Sequence, residues 1–328
     1  MPVGVFFDGF SSTAEMLDVC REAELAGATS LWFAQHMGYR EAMVCATAAA
    51  SVTQRATLVP TAISPYLWPP LPVAMAISTL GELAEGRVIL TVSVGNILNL
   101  GESGIAPVKP IRIMRDYVDA LRTLWQGKPV AHDGELHKLR GAKMAFAQGR
   151  QFPVYIASTG PQMLKLAGEI ADGVLLSAGL TLVSTKQCLA RAQGGAAAKG
   201  RDGVALRTCS LINFHVSRDG AAAKAATLRK LAFLFRSRGH AENIKSSGLD
   251  IDHQAIMACH ARHDFDAAVR LLPAEAANAF AVAGTPKECR ARLERYTASG
   301  LDEPIIEVAG NNEERKLALE VVRELARR

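Results

Sequence analysis

Residues 56–76, ATLVPTAISPYLWPPLPVAMA, set five prolines between one apolar run and the next. Proline cannot donate a ladder hydrogen bond and resists helix interiors, so the stretch cannot be one regular element. It divides into a strand (TLVPTAI), a stiff shaped loop and the start of a helix at Pro72. That helix carries Val73, Ile77, Leu80 and Ala84 on one stripe and stops at Gly86. The unit is strand, loop, helix.

The same unit recurs in both directions. Upstream, VGVFF precedes a helix opened by a Ser12/Glu15 capping box, with Met16, Cys20 and Ala23 on one face and Gly27 as its stop. SLWFA and a helical stretch, REAMVCATAAASVTQ, follow. Downstream come RVILTVSVG, then a helix near 110–126 with Ile113, Tyr117, Leu121 and Leu124 on one face. Asp133-Gly134 between two short runs reads as a hairpin. PVYIAS and GVLLSA bracket a helix starting at Pro161, and RTCSLINFHVS reads as the seventh strand. A mostly helical excursion from about 221 to 278, a Thr285/Glu288 capping box, EPIIEVA and a helical tail complete the chain.

Eight such strands joined by helices predict a (β/α)8 TIM barrel. It has a hairpin insertion after strand 4 and a helical insertion between strands 7 and 8, in a single domain spanning 1–328. The competing doubly wound sheet lacks its Gly-x-Gly-x-x-Gly turn.

Apolar residues make up 49% and charged residues 21%, a globular composition, and the formal charge of +5 is spread along the chain. This points to neither nucleic acid nor membrane as a partner. No apolar run reaches spanning length. Six dispersed cysteines form no Cys-x-x-Cys and read as reduced thiols, so a cytoplasmic protein is expected.

Barrel chemistry sits at the C-terminal ends of the strands. That rule selects Asp8, Gln35 and His36, Ile63 and Ser64, Asn96 and Asn99, Ser158 to Gly160, and Ser177 with Gly179. His36 suits proton transfer or the orientation of a carbonyl. His215 lies near the end of the seventh strand, with function and packing equally open. The small residues before Pro161 would leave helix N–H groups free to cradle a phosphate, although an ordinary capped βα loop looks the same in sequence. Cys259, His260, His263 and Asp264 have ligand-like spacing, yet they fall in the helical excursion, and no metal is expected.

AELAGATSLWFAQHM, LVPTAISPYLWPPLPVAMAISTLGELAEGRVILTVSVGN, PVYIASTGPQMLKLAGEIADGVLLSAG and VAGTPKECRARLERYTASGLDEPIIEV together resemble the bacterial luciferase-like superfamily. That superfamily comprises flavin-dependent monooxygenases and F420-dependent reductases. The resemblance is best to the branch that includes methylenetetrahydromethanopterin reductases. It implies F420 or FMN as cofactor, with a non-proline cis peptide at Ala62–Ile63 behind the ring and His36 as the active-site histidine. Gln35 stands where aspartate is common. Asn96 stands where an acidic proton donor can occur, and Asn99 matches a cofactor-contacting asparagine. Ala157, Ser158, Thr159 and Gly160 match the phosphate-binding loop. Leu180 replaces a sugar-phosphate lysine and PYLWPP replaces a PYTRHP-type segment, which argues against a glucose-6-phosphate dehydrogenase.

The expectation is an oxidoreductase passing hydride between F420 or FMN and a small organic substrate, as a homodimer. The alternatives are an FMN-dependent monooxygenase, a non-catalytic flavin-binding protein and a metal-assisted hydrolase.

Overall fold

The computed structural model describes residues 1–146, 149–201 and 205–327. Its strands are β1 (Gly4–Phe7), β2 (Ser30–Ala34), β3 (Thr57–Thr61), β4 (Leu90–Val92), β5 (Val130–Asp133), β6 (Lys138–Ala142), β7 (Val154–Ala157), β8 (Gly173–Leu176), β9 (Arg207–Leu211), β10 (Phe214–Val216), β11 (Val282–Gly284) and β12 (Glu303–Glu307). Eight of them form one parallel sheet in the order β3-β2-β1-β12-β9-β8-β7-β4. The two ends meet through bridges Leu58–Val88 and Ile63–Val92, which close the sheet into a barrel. Strands β5 and β6 make the antiparallel hairpin.

Strand alternation sorts the residues into two cores. Inside the barrel, Trp32, Val59, Tyr155, Leu175, Cys209 and Ile305 pack together, joined by Phe6, Ile89, Ala157 and Leu211. Their neighbours in sequence, such as Leu31, Leu58, Leu90, Ile156, Val174 and Ile306, belong to the larger core under the helices. Each barrel strand is therefore apolar on both faces, which is why all eight read as near-continuous apolar runs. Below the interior cluster, Glu303 accepts hydrogen bonds from Thr29 (2.5 Å) and Ser30 (2.7 Å). This buried carboxylate closes the N-terminal end of the barrel with its oxygens satisfied.

Three boundaries differ from the sequence expectation. The helix after β3 runs Pro70–Leu83 and starts at Pro70, not Pro72. Both prolines lie in the first turn, where a missing N–H costs nothing. Ser12 does cap its helix and Gly27 does stop it in the left-handed region (φ 98°). However, the Glu15 carboxylate binds Arg315 rather than closing a capping box.

The third difference is larger. RTCSLINFHVS is not one strand: β9 ends at Leu211, and β10 leaves the barrel to pair with β11 in a separate two-stranded sheet. The helical segment lies between those two strands, from Gly220 to Phe280, around its own cluster that includes Leu231, Phe235, Ile256 and Phe280. No helix among the described residues is long and apolar enough to cross a membrane.

One helix contact sets the geometry beside the candidate phosphate loop. Helices Pro161–Ile170 and Leu182–Ala198 meet backbone to backbone. A Cβ on Gly168 would lie 1.9 Å from the Ala192 carbonyl oxygen, and one on Gly195 would lie 2.1 Å from that of Lys165. Neither carbonyl can yield without moving its helix. Gly168→Ala is expected to cost about 1–3 kcal/mol through overpacking, read as a lower urea midpoint with unchanged far-UV circular dichroism in the native baseline.

Candidate functional site at the barrel mouth

The mouth is the next interior layer above the apolar one. Counting in twos along the strands places Asp8 above Phe6, His36 two residues beyond Ala34, and Glu307 above Ile305. The same count puts Ser93 and Thr91 on the inner face of β4, Ser177 above Leu175 and Asn213 above Leu211. Apolar packing thus gives way to polar groups within one residue pair.

His36 is fixed from below and from the side. Its Nδ1 lies 2.9 Å from the Asp8 carbonyl oxygen. A carbonyl only accepts, so Nδ1 carries a proton, and Nε2 is the ring nitrogen left to meet a ligand. Phe6 meets the ring edge-on and Phe10 lies tilted 5.7 Å away. Phe10 in turn meets Tyr39 at 4.3 Å with the rings tilted, both more than half exposed. These aromatics form a lip that escaped the sequence reading, because single exposed rings in loops carry no periodic signal.

Gln35 serves mainly to position. Its Oε1 accepts from the Ala42 N–H (2.9 Å) at the start of helix Ala42–Ala50, and its own N–H donates to the Thr61 carbonyl at 2.5 Å. Only the Nε2 amide is left for a ligand.

The cis peptide lies at Thr61–Ala62, not Ala62–Ile63. The reason is visible in the ladder. The Ile63 N–H donates to Thr91 O (2.9 Å) and Ile63 O accepts from Ser93 N (3.1 Å), so residue 63 is already back in register with Val92. The Ile63 side chain is fully buried under the helices, while Ala62 is half-buried at the mouth. Of the two residues expected behind the ring, only Ala62 faces that space with its side chain.

Asn96 caps helix Ile97–Glu102, its Oδ1 accepting from Leu98 N at 2.9 Å, and it cannot act as an acid. Asn99 is half-buried one turn further on, and Ile97 and Leu98 stand exposed beside it.

Ala157 ends β7 and Ser158 and Thr159 follow it, all three half-buried, and Gly160 is the exposed N-cap of Pro161–Ile170. No side chain caps this helix. Its first-turn N–H groups have no intrahelical acceptor, and Pro161 supplies none. A Cβ on Gly160 would meet only Ser158 Oγ at 3.6 Å, so the approach is open. An uncapped, unobstructed helix start fits a phosphate. On the adjoining strand β4, Thr91 Oγ1 is buried on the inner face without a partner.

Two elements sequence reasoning missed complete the rim. Glu307 pairs with Lys230 of helix Gly220–Leu234. Burial raises the Asp8 carboxyl above its usual value; the Phe10 N–H (2.8 Å) opposes this, and the charge and hydrogen bond of Glu307 add to it. EPIIE sets Glu307 on the same face of β12 as Glu303, four residues on, but only the interior cluster containing Ile305 shows that this face looks inward.

The histidines of the seventh run and of the helical segment lie outside the barrel ring. His215 sits on β10, outside the barrel ring, and burial lowers its pKa. His253 Nε2 and His260 Nε2 donate to the Phe235 (2.7 Å) and Ala232 (2.9 Å) carbonyls. Asp264 caps helix Phe265–Arg270 and Cys259 is buried. Among the described residues no group of three His, Cys, Asp or Glu side chains could hold a metal ion.

With this geometry in place, the comparisons with known proteins are specific. Residues 1–303 match the profile of the luciferase-like monooxygenase family. The chain belongs to that family. It is 29% identical over 97% of its length to the 5,10-methylenetetrahydromethanopterin reductase of Methanolobus tindarius, covering 98% of that protein. It is 28% identical to the reductase of the same name from Archaeoglobus fulgidus, covering 86% of each. In fold it is similar to the coenzyme F420-dependent tetrahydromethanopterin reductase of Methanopyrus kandleri, with TM-score 0.89, 24% identity and coverage of 98% and 97% of the two chains.

The loop after β8 is tied to the helical segment. Asn243 Nδ2 donates to Gly179 O (2.7 Å), and Asn243 Oδ1 accepts from Thr181 N at 3.1 Å. Beside it His240 packs on Phe235. Burial, with the nearby His253 and Arg236 charges, lowers the His240 pKa to about 4. Below the ordinary histidine value of 6.5 the unfolded chain takes up a proton that the folded chain refuses until about pH 4. Stability contributed here is therefore complete above pH 6.5 and is lost as pH falls towards 4. His240→Gln should flatten the fall in thermal midpoint between pH 7 and 4.5 relative to wild type.

Proposed function

We propose that this protein is an oxidoreductase that passes hydride between F420 and a small organic substrate at the mouth described above. The single observation that carries the reading is the uncapped start of helix Pro161–Ile170 beside a mouth bearing unpartnered interior polar atoms. Family membership and the named relatives make a deazaflavin or flavin the group such a mouth would hold. Either cofactor, when bound, supplies the hydride chemistry itself.

The chain's own residues divide the remaining work. Ser158, Thr159 and Gly160, with Ala157 behind them, would hold the phosphate through backbone N–H groups. Ala62 would back the ring, with Gln35 Nε2, Asn96 and Asn99 along its edges. His36 would orient the substrate through Nε2, its ring held by the Asp8 carbonyl. The aromatic lip of Phe10 and Tyr39 would exclude water. We read the whole chain as one catalytic unit working as a homodimer, with no nucleic acid or membrane partner. Use of FMN in monooxygenase chemistry is the second reading, favoured by the family the profile describes.

Titration of the apoprotein with F420 and with FMN, followed by fluorescence quenching, separates the two. Tight binding of F420 alone is expected; binding of FMN alone would replace the first reading with the second, and binding of neither would refute both. Gly160→Asp provides a site-specific check. The new carboxylate would cap the helix while repelling a phosphate. Affinity should fall by about tenfold or more, as loss of one charged hydrogen bond implies, with the thermal midpoint held or raised.

A further inference from the structure

A second set of groups at the mouth has no role in that account. Asp8 and Glu307 line one small cleft with Phe6, Gly9, Ser11 and Arg40. Lys230 reaches them from helix Gly220–Leu234 and pairs with Glu307. The register between β12 and β9 runs Glu303–Cys209, Pro304–Ser210 and Ile305–Leu211. Alternation beyond Leu211 puts Asn213 on the interior face, at the same end of this strand pair as Glu307. The ladder closes with Ile212 N donating to Ile305 O at 2.8 Å, and the Asn213 carbonyl then accepts from Val282 N of β11 at 2.8 Å.

Asn213 is 1% exposed, and neither its Oδ1 nor its Nδ2 has a partner. A buried amide with four unused hydrogen-bonding positions costs stability. Its presence at the same end of the barrel as the carboxyl pair points to a polar group that arrives only with a ligand.

We propose that Asp8 and Glu307 form a proton-sharing carboxyl pair, steadied by Lys230, that delivers the proton accompanying hydride transfer to a substrate heteroatom oriented by the Asn213 amide. This rests on the hydride-transfer reading above. Hydride adding to the carbon of a C=O or C=N group pushes the π electron pair onto the heteroatom. The Asp8 O–H bond breaks, its electrons stay on the carboxylate, and a heteroatom–hydrogen bond forms. The reduced cofactor supplies the hydride, and solvent restores the shared proton. Asn96, the other residue considered for this task, is an amide already spent on Leu98 N.

The groups facing the pair set the sign of every variant. They are Lys230, His215 on β10, which Glu314 of helix Asn312–Ala326 faces in turn, and His36 and Arg40 from the loop after β2. Glu307 holds the Asp8 carboxyl up, by charge and by a hydrogen bond, and Lys230 pulls it down. Glu307→Gln should therefore move the Asp8 titration to lower pH, and Lys230→Met to higher pH. Asp8→Asn keeps an oxygen for the Phe10 N–H and leaves the backbone carbonyl that holds His36, so the loop should fold.

The first experiment is infrared titration of the whole protein, following the carbonyl stretch of protonated carboxyl groups. The wild type should keep one such band above the pH at which ordinary aspartates ionise. Asp8→Asn should lose it, and the other two variants should shift it in opposite directions. A band that titrates at the ordinary aspartate value, or that survives Asp8→Asn, overturns the proton-sharing pair. This holds whether or not a cofactor binds, so it is separable from the cofactor titration.

With cofactor bound, Asp8→Asn should lower kcat by about 10²–10⁴-fold and abolish the fall in rate at alkaline pH, leaving cofactor affinity unchanged. Unchanged kcat and an unchanged alkaline limb would overturn proton delivery even where the infrared band is present.

Discussion

The barrel closes on a mismatch. Between the two bridges that join its ends, β3 advances five residues (Leu58 to Ile63) while β4 advances four (Val88 to Val92). One extra residue must be absorbed on the β3 side, which makes this a bulge in the closing seam. Pro60 lies inside that interval and has no N–H to give β4, so the seam is open where the extra residue is accommodated. Leu58 and Ile63 both face the helices, though an odd separation would put them on opposite faces of a regular strand. The slip turns Ala62 to the mouth without disturbing the outer core.

The prolines and aromatics after the bulge keep its far side in place. His137, at the tip of the β5–β6 hairpin, donates its Nε2–H to the Pro65 carbonyl at 2.7 Å, and Tyr66 donates its hydroxyl to Val108 O at 2.7 Å. Ser64 reaches across to Val94 O at 2.7 Å, and Gly95 takes a left-handed φ of 98° where Ser64 lies against it. The hairpin thus acts as a strut for the loop. The stiffness evident in PYLWPP is matched by a contact to the Pro65 carbonyl, the only backbone hydrogen-bonding group that proline retains, and by hydroxyl bonds from Ser64 and Tyr66 on either side of it.

Much of this was legible in the chain, and the misses have a common cause. Barrel strands are apolar on both faces, so their number and order stand out as runs. The caps at Ser12 and Thr285 are local chemistry and were found where expected. What failed was anything set by a distant partner. The break between β9 and β10 lies within one apolar run, and its cause is β11, some seventy residues away in sequence. The cis bond was expected one residue late because the register of β3 against β4 depends on both strands. The inward polar layer required knowing which face of β12 looks into the barrel; the interior cluster containing Ile305 settles that, and EPIIE alone does not.

The cluster CHARHDFD carries the same lesson in reverse, because a local pattern suggested chemistry that the fold spends on a helix end. The last carbonyls of helix Gly220–Leu234 have no intrahelical donors. His260 satisfies Ala232 and His253 satisfies Phe235 just beyond the helix, while Asp219 caps its other end through Ala221 and Ala222. Both termini are thereby fixed. Lys230 lies one turn from the histidine-held end, so His260, which resembled a metal ligand, joins His253 in holding in place the helix that carries the lysine to Glu307. A helix free to fray at that end would leave the Glu307 carboxylate beside Asp8 without its cation, and like charges at the mouth would then repel. The histidines of the helical segment and the carboxyls of the barrel rim are in this way parts of one construction.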